Sequence, residues 1–239
     1  MLWKIKMFAV NLLKNTLSRS AIFRRLTTIG YYGLNKIDKH LDRMLPASNG
    51  YFVELGANDG LSQSNTLFLE KYKNYSGVLI EPFPQNYNLC KSNRSARNYF
   101  YMGACVSFDY KDENMQLAHS NLMTTPLNGE SSFDDPIGHA REGELFLNGD
   151  KIHIFTAKVS TLNDILIDAK APEVIDLLSL DVEGGELEVL KGIDHKRFRF
   201  RIICVETNRI ELVKNFLEVY NYSYHKKISE HDFLFLCNL

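Results

Sequence analysis

The 239-residue chain has no CxxC pair, no Cys/His spacing suited to zinc, and four cysteines (Cys90, Cys105, Cys204 and Cys237) spread far apart. A disulfide framework and a structural zinc site are thereby set aside, and buried, reduced thiols of a cytoplasmic protein are expected. Long apolar runs are missing too. The uncharged stretches 7–13 and 26–35 fall far short of the roughly 20 apolar residues that a membrane-crossing helix needs. The first is also a poor secretory signal, because Lys14, Arg19 and Arg24 follow it at once. No internal repeat or low-complexity segment is evident, and neither a G-x-G-x-x-G fingerprint nor a phosphate loop with its lysine occurs.

The remaining absence is local. Residues 1–37 contain no Asp or Glu but seven basic residues: Lys4, Lys6, Lys14, Arg19, Arg24, Arg25 and Lys36. The whole chain has 28 Lys and Arg against 29 Asp and Glu, a net charge of -1, so residues 38–239 hold 21 against 29. A basic arm is joined to an acidic body, and nothing in the overall balance points to a nucleic-acid partner. On a helical projection of residues 2–26, Lys4, Asn11, Lys14, Asn15, Ser18 and Arg25 gather near one side. Trp3, Val10, Leu13 and Leu17 gather on another, interrupted by Lys6 and Arg24. Three readings of this arm stay open: packing on the body, peripheral contact with an anionic membrane through residues 1–28, and a transit segment. The domain division expected is an arm over residues 1–45 and one catalytic domain over residues 46–239.

From residue 51 the composition is ordinary and globular, with 45% hydrophobic and 24% charged residues in the chain as a whole. Short apolar runs alternate with helical segments. Strands are expected at 51–55, 78–80, 99–106, 152–158, 175–180 and 201–205. Helices are expected at 65–72 (capped by Ser64 or Asn65), 84–92, after a Ser160 or Thr161 cap, 186–191 (stopped by Gly192) and 209–220. The closing runs 223–228 and 233–237 are too close for a crossover and must pair as a hairpin. The fold class is therefore α/β: a mostly parallel Rossmann-like sheet with an antiparallel C-terminal strand and helices on both faces. Residues 107–156 show little periodicity and read as a long loop or lid on the substrate side.

In an open α/β sheet, ligands bind beyond the carboxyl ends of the strands. Four of those ends carry acids: Glu54 before Gly56–Gly60, then Glu81, then Asp181 with Glu183, then Glu206 with Asn208. Gly56 and Gly60 bound a tight turn whose Ala57, Asn58 and Asp59 are unsuited to cradling pyrophosphate but suited to a ligand with a cationic centre; the bland alternative is a turn that merely turns. Glu81 ends the next strand, where an acid can accept both hydroxyls of a ribose. Together these favour S-adenosylmethionine over a nicotinamide dinucleotide. Asp181, Glu206 and Asn208 make a candidate oxygen set for Mg²⁺ or another divalent cation, while Glu183 alternatively only complements the helix behind it. His119 and His139 are candidate general bases, or solvated loop residues.

The segments FVELGANDGLSQSNTLFLEK (52–71), GVLIEPFPQNY (77–87), VSTLNDIL (159–166), LLSLDVEGGELEVLKGID (177–194) and CVETN (204–208) resemble, in order, the FkbM family of S-adenosylmethionine-dependent methyltransferases. The resemblance implies the class I methyltransferase sheet and O-methylation of a hydroxyl on a sugar of a polysaccharide, glycolipid or glycosylated metabolite. It implies that Glu54, Gly56, Asn58 and Gly60 face the methionine part of the cofactor, that Glu81 holds its ribose, and that Asp181 lies beside the sulfonium and the acceptor. A non-catalytic scaffold that keeps the fold, and a nicotinamide-dependent dehydrogenase, are the competing classes.

Overall fold

The structure is a computed structural model that describes residues 30–120, 123–128, 135–144 and 152–238. The helical projection of residues 2–26 lies outside the described residues. A 3-10 turn at Leu34–Lys36 leads into α1 (Ile37–Asp42). Then follow β1 (Tyr51–Leu55), α2 (Leu67–Lys73), β2 (Ser76–Ile80), α3 (Pro84–Asn93), β3 (Tyr99–Tyr101), β4 (Ala104–Val106), β5 (Asn114–Ser120) and β6 (Met123–Pro126). The second half runs α4 (Pro136–Glu144), β7 (His153–Thr161), α5 (Leu162–Asp168), β8 (Val174–Leu180), α6 (Glu186–Lys191), β9 (Arg199–Glu206), α7 (Ile210–Val219), β10 (Tyr222–Lys227) and β11 (Asp232–Cys237).

Seven strands form the main sheet in the order β10-β11-β9-β8-β1-β2-β3. Its pairings are parallel except around β11, which runs antiparallel between β9 and β10. The expected α/β class, with its antiparallel closing strand, is what the chain forms. Because side chains alternate along a strand, β1 feeds two cores at once. Val53 and Leu55 join Leu162, Leu166, Val189, Leu190, Val213 and Leu217, the apolar stripes of α5, α6 and α7. Phe52 points the other way, into Ile37, Leu41, Phe68, Leu69 and Cys90 of α1, α2 and α3. Residues 37–45 of the expected arm thus belong to the body, with Leu41 fully buried.

Three boundaries move for physical reasons. The strand expected over 99–106 divides into β3 and β4 at Gly103, where a Cβ would stand 2.6 Å from the Lys158 carbonyl oxygen. Helix α2 starts at Leu67, not at 65, because Ser64 Oγ accepts the Thr66 and Leu67 N–H groups. The lid expected over 107–156 largely becomes structure: β4, β7, β5 and β6 form a second, four-stranded sheet, and α4 packs on β5 and β6. Thr161, by contrast, caps α5 as expected, its side chain accepting from Asp164 N at 3.1 Å.

Candidate functional site

A cavity open to solvent lies between the carboxyl ends of β1, β2 and β8 and the second sheet. Gly56, Asn58, Glu81, Asp181 and Glu183 supply the polar wall; Ile80, Pro82, Cys105, Met115, Leu117 and Pro126 supply the apolar one. Five of the expected positions are therefore brought together.

Glu81 follows the last residue of β2 and is 4% exposed. Its Oε2 accepts Asn58 N at 2.8 Å and its Oε1 accepts Phe83 N at 2.9 Å, so both oxygens are fixed by backbone while each keeps a lone pair. Burial, against those two hydrogen bonds, pushes its pKa up to about 7. Gly56, at φ +76, is solvent-exposed, and a Cβ there would lie 2.0 Å from the Asp181 carbonyl oxygen. Only glycine lets β1 and β8 end this close together and still presents bare backbone to the cavity.

Asp181 sits at the end of β8. Burial, and then the carboxylates of Glu206, Glu183, Asp232 and Glu186, hold its pKa well above the usual carboxylate range. Glu183 adopts the left-handed region at φ 51, uncommon for a residue with a Cβ. Its Oε2 lies 2.7 Å from His139 Nε2, which ties α4 to the β8–α6 turn. Glu186 caps that turn by accepting Gly184 N at 2.7 Å, and burial pushes its pKa up to about 7.

Several expected roles change. Glu54 shares its strand face with Phe52, away from the cavity. Its carboxylate accepts Ser64 Oγ, Asn65 N (2.9 Å) and Thr66 Oγ1 (2.6 Å), and Arg94 Nη1 approaches at 3.2 Å. The acid shapes the turn after β1 instead of touching a ligand with its side chain. Asp59 likewise holds Leu61 N, Ser62 N and Ser62 Oγ, and a Cβ on Gly60 would meet Arg94 and Cys90. Neither these two nor Ala57, whose N–H donates to the Ile80 carbonyl, lines the cavity. His119 does not line the cavity: it is buried and stacked on Phe83 at 3.7 Å, with Nδ1 2.9 Å from Thr124 Oγ1. Burial holds its pKa down to about 4. His139 does not itself line the cavity and meets it through Glu183. For the divalent cation, Asp181 and Glu206 are neighbours, but Asn208 is exposed and neither Glu206 nor Asn208 lines the cavity. Among the described residues no group of three or more His, Cys, Asp or Glu is placed to hold a metal.

Two features escaped the sequence reading. Arg94, with a side chain 0% exposed, binds Glu54 and Glu70 (Nε to Oε2, 2.9 Å) and donates to Thr66 Oγ1, Ser64 Oγ and the Gly60 carbonyl. It buckles the β1–α2 turn to α3. The far wall of the cavity, Met115 and Leu117 of β5 with Thr124 and Pro126 of β6, comes from the segment read as a loop. Its signal was present: Met115 and Leu117 are buried and alternate with exposed Asn114 and Gln116, a period of two.

The chain is similar to several known proteins. The methyltransferase sdnD of Sordaria araneosa is 26% identical over 206 residues, which cover 75% of this chain and 78% of that one. The crystal structure of methyltransferase FkbM from Methylobacillus flagellatus KT superposes with a TM-score of 0.44 at 16% identity, over 79% of this chain. The chain spans 43% of that protein's length. A precorrin-6y C5,15-methyltransferase from Geobacter metallireducens GS-15 superposes with a TM-score of 0.44 at 12% identity, covering 84% and 85% of the two chains. The profile of the methyltransferase FkbM domain matches residues 54–235, from the last turn of β1 to the closing strand, and the chain belongs to that family.

Proposed function

We propose that the protein transfers a methyl group from S-adenosylmethionine to a hydroxyl, on a sugar of a polysaccharide, glycolipid or glycosylated metabolite. The observation that carries the reading is the placement of Glu81 across one cavity from Asp181 and Glu183. A buried carboxylate with both oxygens anchored to backbone is a preorganised acceptor for a vicinal diol. Bare backbone at Gly56 and the acids at the end of β8 suit an amino-acid end and a positive sulfur. The apolar wall suits a planar base. The residues present therefore fit this cofactor.

Bound there, the cofactor supplies a methyl group made electrophilic by its sulfonium. Methyl transfer is an in-line displacement, so the protein's work is alignment and removal of the hydroxyl proton. Glu81 and Gly56 orient the donor. Glu183, held in its left-handed turn and hydrogen-bonded to His139 Nε2, takes the hydroxyl proton at its carboxylate, and His139 fixes where that carboxylate points. Asp181 lines the same wall beside Glu183. Met115 and Leu117 of β5 with Thr124 and Pro126 of β6 wall the cavity opposite the main sheet.

The test is label transfer from methyl-labelled cofactor to a panel of free sugars, nucleotide sugars and lipid-linked glycans. Base-stable label on an acceptor oxygen is expected, with kcat lowered roughly 10²- to 10⁴-fold in Glu183→Gln. Label on nitrogen or carbon alone, or full activity in that variant, contradicts the assignment.

A further inference from the structure

An ionised carboxylate can only accept hydrogen bonds, and that leaves half of a diol unserved at Glu81. Each hydroxyl that gives its hydrogen to the carboxylate keeps lone pairs on its own oxygen, and inside a cavity those need a donor. The backbone around Glu81 is already spent. Asn58 N and Phe83 N donate to its carboxylate, and Gly103 N donates to its carbonyl oxygen.

The connection from β2 to α3 places another donor on the same cavity. Asn86 stands in the first turn of α3; Pro84 and Gln85 before it are exposed, whereas Asn86 is half-buried and lines the cavity. Phe83 couples the two residues. Its N–H donates to Glu81 Oε1 at 2.9 Å, and its carbonyl oxygen accepts Tyr87 N at 2.9 Å, closing the turn that carries Asn86. Helix α3 packs on β3, which lies three strand spacings, roughly 14 Å, from β8. Asn86 therefore serves the Glu81 end of the cavity and not the Asp181 end.

Its carboxamide is uncommitted. The other neutral polar side chains of the described lining are engaged: Thr124 Oγ1 lies 2.9 Å from His119 Nδ1, and Asn58 Oδ1 accepts Asp59 N at 2.6 Å. The Asn86 amide makes no hydrogen bond, through its oxygen or its nitrogen, to any described residue. With neither end held, it is free to turn its two N–H donors inward.

We propose that Asn86 completes a ribose site with Glu81: the carboxylate accepts the hydroxyl hydrogens, and Asn86 Nδ2 donates to one hydroxyl oxygen. The pair makes the chain selective for an intact diol. The inference rests on the S-adenosylmethionine reading and extends it to a residue on a different element. Aspartate in place of Asn86 would bring a second acceptor and a second negative charge to groups that Glu81 already serves, so the donor is what matters there.

The test is calorimetric titration of the full chain at pH 8 with S-adenosylhomocysteine and with its 2′-deoxy and 3′-deoxy analogues. Asn86→Ala and Asn86→Asp are compared with the wild type, each checked for native circular dichroism. The expected loss in Asn86→Ala is roughly tenfold for the intact ligand but within about twofold for one of the two deoxy analogues, the one lacking the oxygen that Asn86 serves. Asn86→Asp should lose at least as much. An equal loss for all three ligands, which would put Asn86 on the base, overturns the proposal. So does undiminished affinity in Asn86→Ala, or tighter binding by Asn86→Asp than by Asn86→Ala. A folded wild-type chain that binds none of the three ligands refutes the cofactor reading itself, a result distinct from wild-type binding that ignores Asn86.

Discussion

At the scale of single residues, the acids at the strand ends have different jobs, and the pleat of the strand separates them. Glu54 and Glu81 both close a strand before a tight turn, yet Glu54 faces α2 and α3 and meets Arg94, whereas Glu81 turns into the cavity. Glu81→Ala should therefore weaken binding of S-adenosylmethionine by at least about tenfold with a modest change in stability, since one good charge-assisted hydrogen bond is worth roughly 1.5–3 kcal/mol. Glu54→Gln should do the reverse. It leaves the buried Arg94 short of a counter-charge and should lower unfolding free energy by about 3 kcal/mol in a denaturant titration, with affinity in the folded fraction nearly unchanged. The period-two alternation of FVEL already places Phe52 and Glu54 on one face; what the sequence could not provide was Arg94, forty positions away, whose pairing depends on tertiary structure.

Glu81 also gives the site a pH dependence with a definite sign. Its pKa is raised to about 7 in the free protein, so below that value one of its oxygens carries a proton and accepts less well. A diol that donates to the carboxylate favours the ionised form, so binding must release protons near neutrality. Affinity should rise as pH increases through about 7. Calorimetric titration in buffers of different ionisation enthalpy should show net proton release near that pH; net uptake contradicts the assignment.

At the scale of elements, the parallel βα units were legible because each carries its own punctuation: Thr161 before α5, Gly192 after α6, Pro84 opening α3. Those signals act locally and need no partner. Thr161→Ala should cost about 1 kcal/mol by losing the bond from Asp164 N, read as a lower denaturation midpoint with an unchanged slope. The second sheet was not legible. Its strands are short, β4 directly follows β3 around Gly103, and its pairing of β5 with β7 joins residues far apart in sequence. Only the Met115/Leu117 alternation marked it, too brief to outweigh the polar residues around it. The same limit explains His139, whose contact with Glu183 depends on where α4 packs.

At the scale of the molecule, the near-neutral total conceals a division of labour. Burial, and then the carboxylates of Glu206, Glu183, Asp232 and Glu186, raise the pKa of Asp181 at the end of β8, and a cationic ligand offsets part of that repulsion. The free protein is accordingly the less comfortable state. At a hundredfold excess over Kd, ligand binding should stabilise the chain by about 2.7 kcal/mol and raise the thermal midpoint by several degrees; at equal ligand concentration the cationic S-adenosylmethionine should stabilise it more than neutral-sulfur S-adenosylhomocysteine.

The central claim, that this cavity holds S-adenosylmethionine by the Glu81 carboxylate, is tested most directly by one calorimetric comparison. The cofactor is titrated into the wild-type chain, Glu81→Ala and Glu54→Gln at pH 8. The account predicts one-to-one binding by the wild type, a loss of at least about tenfold in Glu81→Ala, and near wild-type affinity in folded Glu54→Gln. No binding by the folded wild type, or equal affinity in wild type and Glu81→Ala, contradicts it.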